Sequence, residues 1–198
     1  MSETLAPWRS LIARALHRNR SLADSRYAQL ATVRSDGQPA NRTIVFRGFV
    51  DEVLPESANS LKFITDIRSE KINEIAYQAW GELCWYFPKT REQFRILGQL
   101  QVVDSTIEST ALQKLRRMTW HNLSDAARSQ FAWPTPKQPL AEATAFKPQE
   151  LSPNHPIENF GLLLLNPTNV DHLELRGEPQ NRCLYELQDD WQMRSVNP

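Results

Sequence analysis

The sequence predicts a mostly β protein, an antiparallel β-barrel with peripheral helices in its connections. Three observations carry that expectation. There are many short stretches rich in β-branched and aromatic residues, turn signals between them, and no alternating strand–helix–strand units. At 198 residues the chain can bury a proper core, and a single domain spanning 1–198 is expected.

The elements follow in order. Residues 6–18 form an amphipathic helix, with Leu11, Ile12, Ala15 and Leu16 on one face and Arg14 and Arg18 expected in solvent. Residues 27–34 and 41–49 are two strands, joined by a turn at Ser35-Asp36-Gly37-Gln38-Pro39 that pivots on Asp-Gly. A third strand precedes a helix capped by Ser69, in which Ile72, Ile75, Ala76 and Ala79 recur at helical spacing until Gly81. Residues 82–87 then alternate, with Trp85 and Phe87 on one face and Cys84 and Tyr86 on the other. Residues 93–104 form a longer strand in which Gly98 signals a bulge or tight bend.

From Thr106 the period becomes helical through Ile107, Ala111, Leu112, Leu115 and Met118, and Ser124 caps a second helix running to Trp133. Residues 133–159 carry Pro134, Pro136, Pro139, Pro148, Pro153 and Pro156 of the chain's 13 prolines, so neither a helix nor a central strand can run through them. The 134–159 loop is expected to be a lid or arm on a partner subunit, or else partly disordered. Strands over 161–165 and 170–175 flank an expected turn at Asn166-Pro167, and a hairpin of 182–187 and 191–196 closes the chain.

Composition excludes several functions. Net charge is zero with pI near 6.9, which argues against nucleic acid or an anionic membrane as partner. No apolar run approaches the ~20 residues of a membrane span, and the N-terminus does not read as a signal peptide. Cys84 and Cys183 are expected as reduced core residues, and the location as cytoplasmic. The histidines, His17, His121, His155 and His172, are scattered without metal-ligand spacing, and no Gly-rich dinucleotide motif follows a strand.

The chemistry gathers around the first hairpin and the helix start after it. Arg42 and Arg47 sit near either end of the second strand, and Thr65, Arg68, Ser69 and Lys71 surround a helix N-terminus. Unpaired N–H groups and the positive dipole end favour an anion there, and Arg forks and a mobile Lys can hold phosphate oxygens. Each cation taken alone reads equally well as a solvated surface charge.

This stretch resembles the pyridoxamine 5′-phosphate oxidase-like family, FMN-binding split barrels that hold the flavin at a dimer interface. The resemblance rests on Arg42-Thr43-Ile44-Val45-Phe46-Arg47, then Ile64-Thr65, then Ser69-Glu70-Lys71, where the family has Ser-Arg-Lys, and finally Gln93 after an aromatic-Pro turn. It implies a split antiparallel β-barrel that binds FMN, working as a homodimer on a small-molecule substrate. It further implies that Arg42, Ser69 and Lys71, with Arg68 available, bind the phosphate. Thr43, Ile44, Val45 and Thr65 would line the flavin, and Gln93 would bond its ring.

The family's substrate set is matched less completely. Arg47, Ser129 and Arg182 stand at its positions, whereas Asp125, Leu184 and Glu186 replace an Arg, a His and an Arg, and Arg176 replaces a stacking Trp. A charge pair at ~6 Å and an effective dielectric near 20 involves ~3 kcal/mol, so an Asp for Arg exchange beside a phosphate dianion is costly. The expected function is an FMN-dependent oxidoreductase with an altered substrate site. The alternative is a non-catalytic flavin-binding or redox-sensing protein.

Overall fold

Eight strands form one antiparallel sheet in the order β2-β1-β4-β5-β6-β7-β8, with β3 paired to β6 off that path. The molecule is seen as a computed structural model that describes residues 5–50, 54 and 57–198. The first four residues of the N-terminal stretch lie outside the described residues. The strands are β1 (Tyr27–Val33), β2 (Pro39–Val45), β3 (Leu61–Asp66), β4 (Trp80–Phe87), β5 (Glu92–Val103), β6 (Phe160–Glu174), β7 (Asn181–Leu187) and β8 (Trp191–Val196). The helices are α1 (Pro7–Asn19), α2 (Glu70–Tyr77), α3 (Thr110–His121) and α4 (Asp125–Ser129).

The sheet curls without closing. β2 ends at Val45, and the chain beyond it touches β3 through Arg47 N–H to Lys62 O at 2.8 Å, Lys62 N–H to Gly48 O at 2.9 Å and a bridge from Phe49 to Leu61. Between β2 proper and β3 no ladder forms. The result is a split antiparallel barrel.

β6 explains why its first half reads as a continuous apolar run. Leu163 and Leu165 face the barrel core with Phe63, Trp85, Phe87 and Phe94, while Phe160, Leu162 and Leu164 face a second cluster with Trp120 and Phe131 under α3. A strand covered on both faces needs no polar alternation.

Several expectations are corrected. β2 does not reach Phe49, so Arg47 lies past its end. α2 stops at Tyr77, and Gly81 lies inside β4 opposite Gly98, where a Cβ would come 2.5 Å from Leu100 Cδ1. Asn166-Pro167 is no turn. β6 runs on through it with a bulge of its own, in which Thr168 is the extra residue opposite the Leu97–Gly98 step of β5, and a Cβ at Gly98 would lie 2.1 Å from Asn166 O. The two cysteines are unbridged but half-buried rather than core. Arg14 is not simply solvated, since it pairs with Glu92 at 3.4 Å and Glu174 at 3.0 Å.

The Pro-rich segment packs on its own chain. Trp120 Nε1 donates to Ser152 O at 2.8 Å, Gln149 N–H donates to Ser129 Oγ at 2.9 Å, and Trp133 packs edge-on against Phe146. A short 3-10 turn over Ala143–Phe146 is its one regular element.

Candidate functional site

The split between β2 and β3 forms a groove of about 450 Å³, within the size range of cofactor pockets. Arg42, Thr43, Ile44, Val45 and Arg47 form one wall, and Ile64, Thr65 and Asp66 the other. Leu163 of β6 lines it as well, Lys71 stands at one end, and Ala127, Gln130, Phe131 and Trp133 cover it from the α4 side. A smaller cavity of about 240 Å³ continues past Arg42 and Lys71, between the first hairpin, the start of α2 and the arm.

Lys71 is held by hydroxyls. Its Nζ donates to Ser69 Oγ at 2.8 Å and to Thr65 Oγ1 at 3.1 Å. Burial lowers its pKa, and the positive charge of Arg42 lowers it further. Ser69 occupies the N-cap position of α2 without capping it, because its hydroxyl donates to Asp66 O at 2.6 Å. The N–H groups of Glu70 and Lys71 therefore remain available to an anion, while that of Ile72 donates to Ser69 O at 3.0 Å.

Arg42 is oriented from below. Its Nη2 donates to Glu74 Oε2 at 2.5 Å, and its Nη1 donates to Leu30 O at 3.3 Å and to the Thr32 hydroxyl. Thr32 in turn donates to Glu74 Oε2 at 2.5 Å. Glu74 is 5% exposed. Burial alone would raise its pKa, but hydrogen bonds from Thr32 and Arg42, and the charge of Arg42, outweigh that and hold it below the ordinary range. Lys71 and Glu74 lie one turn apart on one face of α2. Around the small cavity, Arg34, Arg42, Lys71 and Lys137 face Glu70 and Glu74, leaving two positive charges over, the charge of a phosphate dianion.

Thus the fold brings together Arg42, Thr43, Ile44, Val45, Arg47, Thr65 and Lys71, with Ser69 adjoining. Other named residues lie elsewhere. Arg68 forks onto Asp66 at 3.0 and 2.6 Å. Gln93 pairs with Tyr86 on β4 and Leu173 on β6, on the outer face of the sheet. With β1 and β4 between it and β2, interstrand spacing puts it ~14 Å from the β2 wall. Arg182, paired with Leu173, shares that outer face and forks onto Asp171 at 2.9 and 2.6 Å.

The substrate set is similarly dispersed. Ser129 is buried, its hydroxyl taken by Gln149, and it lines a separate cavity of about 940 Å³ under the arm together with Asp125. Asp125 pairs with Arg128, whose guanidinium also caps α3 by donating to Trp120 O, His121 O and Leu123 O. His121 lies on another surface beside Pro153, Glu186 pairs with Arg194 at 3.0 Å, and Arg176 donates to Lys89 O. Of the two cations expected at the substrate, Arg47 has a side chain without a hydrogen bond or ion pair to the described residues, whereas Arg182 is paired.

Some members of the site were not singled out from sequence, namely Thr32, Glu74, Gln130, Trp133 and Lys137. The Lys71–Glu74 spacing on one helix face was the available signal. The fold also gathers Glu92, His172 and Glu174 with ligand atoms within 4.8 Å of one another. There the guanidinium of Arg14 bonds both carboxylates, so the group pins α1 to the barrel.

A split barrel with an open groove and a cation cluster at one end defines a phosphate-bearing ring cofactor's binding domain. The model of the pyridoxamine 5′-phosphate oxidase FMN-binding domain matches residues 5–104. The chain is 39% identical over 178 residues to the pyridoxine/pyridoxamine 5′-phosphate oxidase 2 of Arabidopsis thaliana, covering 89% of this chain and 87% of that one. It is 55% identical to a pyridoxamine 5′-phosphate oxidase-related, FMN-binding protein from Nostoc punctiforme PCC 73102, with TM-score 0.91 over 98% of this chain and 99% of that one. The PhzG of Burkholderia lata 383, at TM-score 0.75 over 100% of this chain and 99% of that one but 18% identity, shares the fold. The chain belongs to the pyridoxamine 5′-phosphate oxidase family of FMN-binding domains, and FMN is its cofactor.

Proposed function

We propose that this chain is an FMN-dependent oxidoreductase, a single-domain protein that works as a homodimer in the cytoplasm. One observation carries the reading: the groove along the split is open, lined by apolar and polar side chains together, and ends in a cation pair at the start of α2. Arg42, Ser69 and Lys71 would hold the phosphate, Thr43, Ile44, Val45 and Thr65 would line the ring system, and Arg68 would steady the loop through Asp66. Bound FMN supplies the redox chemistry, leaving the protein to orient, bind and exclude water.

The homodimer is supported by Gln93 and Arg182. Both sit on an outer sheet face that also exposes Tyr27 by 48% and Tyr86 by 45%, and neither can reach the groove of its own subunit. Docked against a second copy, that face could bring Gln93 to the other subunit's flavin. The cytoplasmic location is supported by two unbridged cysteines; among the described residues no helix is long and apolar enough to cross a membrane.

For the substrate, Arg47 offers the one cation of the expected set with no partner among the described residues, while Ser129 and Arg182 are already satisfied within the subunit. Oxidation of pyridoxamine phosphate is therefore expected to be poor, with some other polar compound preferred. Anaerobic bleaching of FMN-loaded protein, screened against pyridoxamine phosphate and a metabolite set, tests this. Efficient turnover of pyridoxamine phosphate at micromolar concentration would overturn the altered-substrate reading. Failure of every compound to bleach the flavin would support a non-catalytic flavin-binding role instead.

A further inference from the structure

The Pro-rich arm meets the phosphate end of the groove at one point. Lys137, with φ +63°, reaches Glu70 Oε2 at 2.5 Å, and the two side chains line the same small cavity as Arg42, Ser69 and Lys71. Glu70 is where this chain departs from the Ser-Arg-Lys pattern, so an anion stands in the first turn of α2 where the resemblance has a cation. That carboxylate suits the helix dipole, but it also repels any phosphate placed at the same N–H groups. The Lys137–Glu70 pair is 69% and 53% exposed, a setting in which ion pairs add little to folding stability. Its consequence is local: it returns a positive charge to the cavity from a distant part of the chain.

We propose that Lys137 is a cofactor-binding residue, through which the arm delivers the cation lost at position 70 and closes over the FMN phosphate. The ammonium has three donors, enough to bridge Glu70 and a phosphate oxygen together. The arm's place against α2 is then coupled to the phosphate and not to the flavin ring. This rests on the small cavity being the phosphate seat.

The test is titration of full-length apoprotein with FMN and with riboflavin, for the natural chain, Lys137→Ala, Glu70→Gln, the double variant, and Lys71→Ala as control. Lys137→Ala should weaken FMN about tenfold and leave riboflavin unchanged. The double variant should recover most of that loss, because the anion that Lys137 offsets is gone. Chymotryptic cleavage at Leu140, 90% exposed in the arm, should be slowed by FMN but not riboflavin, and Lys137→Ala should remove the protection. If Lys137→Ala binds FMN as the natural chain does while Lys71→Ala loses it, the inference is overturned and the phosphate seat stands. Equal weakening of both flavins would likewise overturn it, showing that Lys137 supports the arm alone. If neither variant distinguishes FMN from riboflavin, the phosphate seat itself is wrong.

Discussion

The residues expected at the phosphate end and those expected at the substrate end are built into the fold differently, and they lie in separate parts of the molecule. At the phosphate end, cations are held in place by buried partners yet keep donors for a ligand. Arg42 rests on Glu74 and Thr32, and Lys71 on two hydroxyls. At the substrate end, the corresponding groups are consumed within the fold: Ser129 by the arm, Asp125 by Arg128, Arg182 by Asp171. A side chain at a motif position serves a ligand only if its own subunit has not already satisfied it. The first set keeps donors that an anion could take, whereas in the second Arg47 is the one cation without a partner among the described residues.

The largest effect that could break this contrast is loss of a phosphate cation. Lys71→Ala or Arg42→Ala should each cost about 1.5–3 kcal/mol of FMN binding, roughly ten- to more than a hundredfold, with riboflavin little changed. Fluorescence titration with both flavins checks it, and equal losses would make these residues structural.

Next in size is Glu74→Gln. If Glu74 acted merely as a negative charge near the phosphate, removing it would tighten FMN. Because it orients Arg42, the substitution should instead weaken FMN about three- to tenfold. The same residue carries an acid signature. Its folded pKa is depressed, so its stabilising contribution is present above the ordinary Glu value and is lost as pH falls through the folded value. Thermal melts of the natural chain and Glu74→Gln should converge as the solution is acidified below about pH 4.3.

A pH profile sharpens the role of Lys71. Its pKa is lowered by burial and by Arg42, and the phosphate needs the charged form. FMN affinity should therefore fall on the alkaline side before the ordinary lysine value of about 10.4, and Lys71→Arg should move that fall upward. A profile unchanged by Lys71→Arg would contradict the assignment.

The smallest expected effects belong to the other end. Ser129→Ala removes the acceptor of the exposed Gln149 N–H and should lower stability by about 0.5–1.5 kcal/mol, yet leave FMN affinity within about twofold. A tenfold loss of FMN in this variant would show that the two ends are one site.

How much of this was legible beforehand follows from sequence distance. The hairpin, the Ser69–Lys71 helix start and the β4–β5 pair are local patterns that periodicity and turn chemistry point to, although the second strand of the hairpin ends at Val45 and not at Phe49. The Glu74 support was not, because its partners Thr32 and Arg42 lie 42 and 32 residues away and nothing in α2 announces them. Asn166-Pro167 carried a turn signal that tertiary pairing reduced to a bulge at Thr168, since β5 pairs with β6 on both sides of it. Arg14 read as solvated for the same reason: Glu92 and Glu174 meet it only once β5 and β6 are paired. The motif named Gln93 without revealing that its own subunit holds it on the far face, away from the groove.

The central claim is that the cation cluster at the end of the split seats the phosphate of FMN. Its most direct measurement is the ratio of FMN to riboflavin affinity for the purified apoprotein at neutral pH and moderate salt. With two net charges and the start of α2 facing the dianion, FMN should bind at least about a hundredfold tighter, a difference of about 2.8 kcal/mol. Equal affinity for the two flavins would contradict the account.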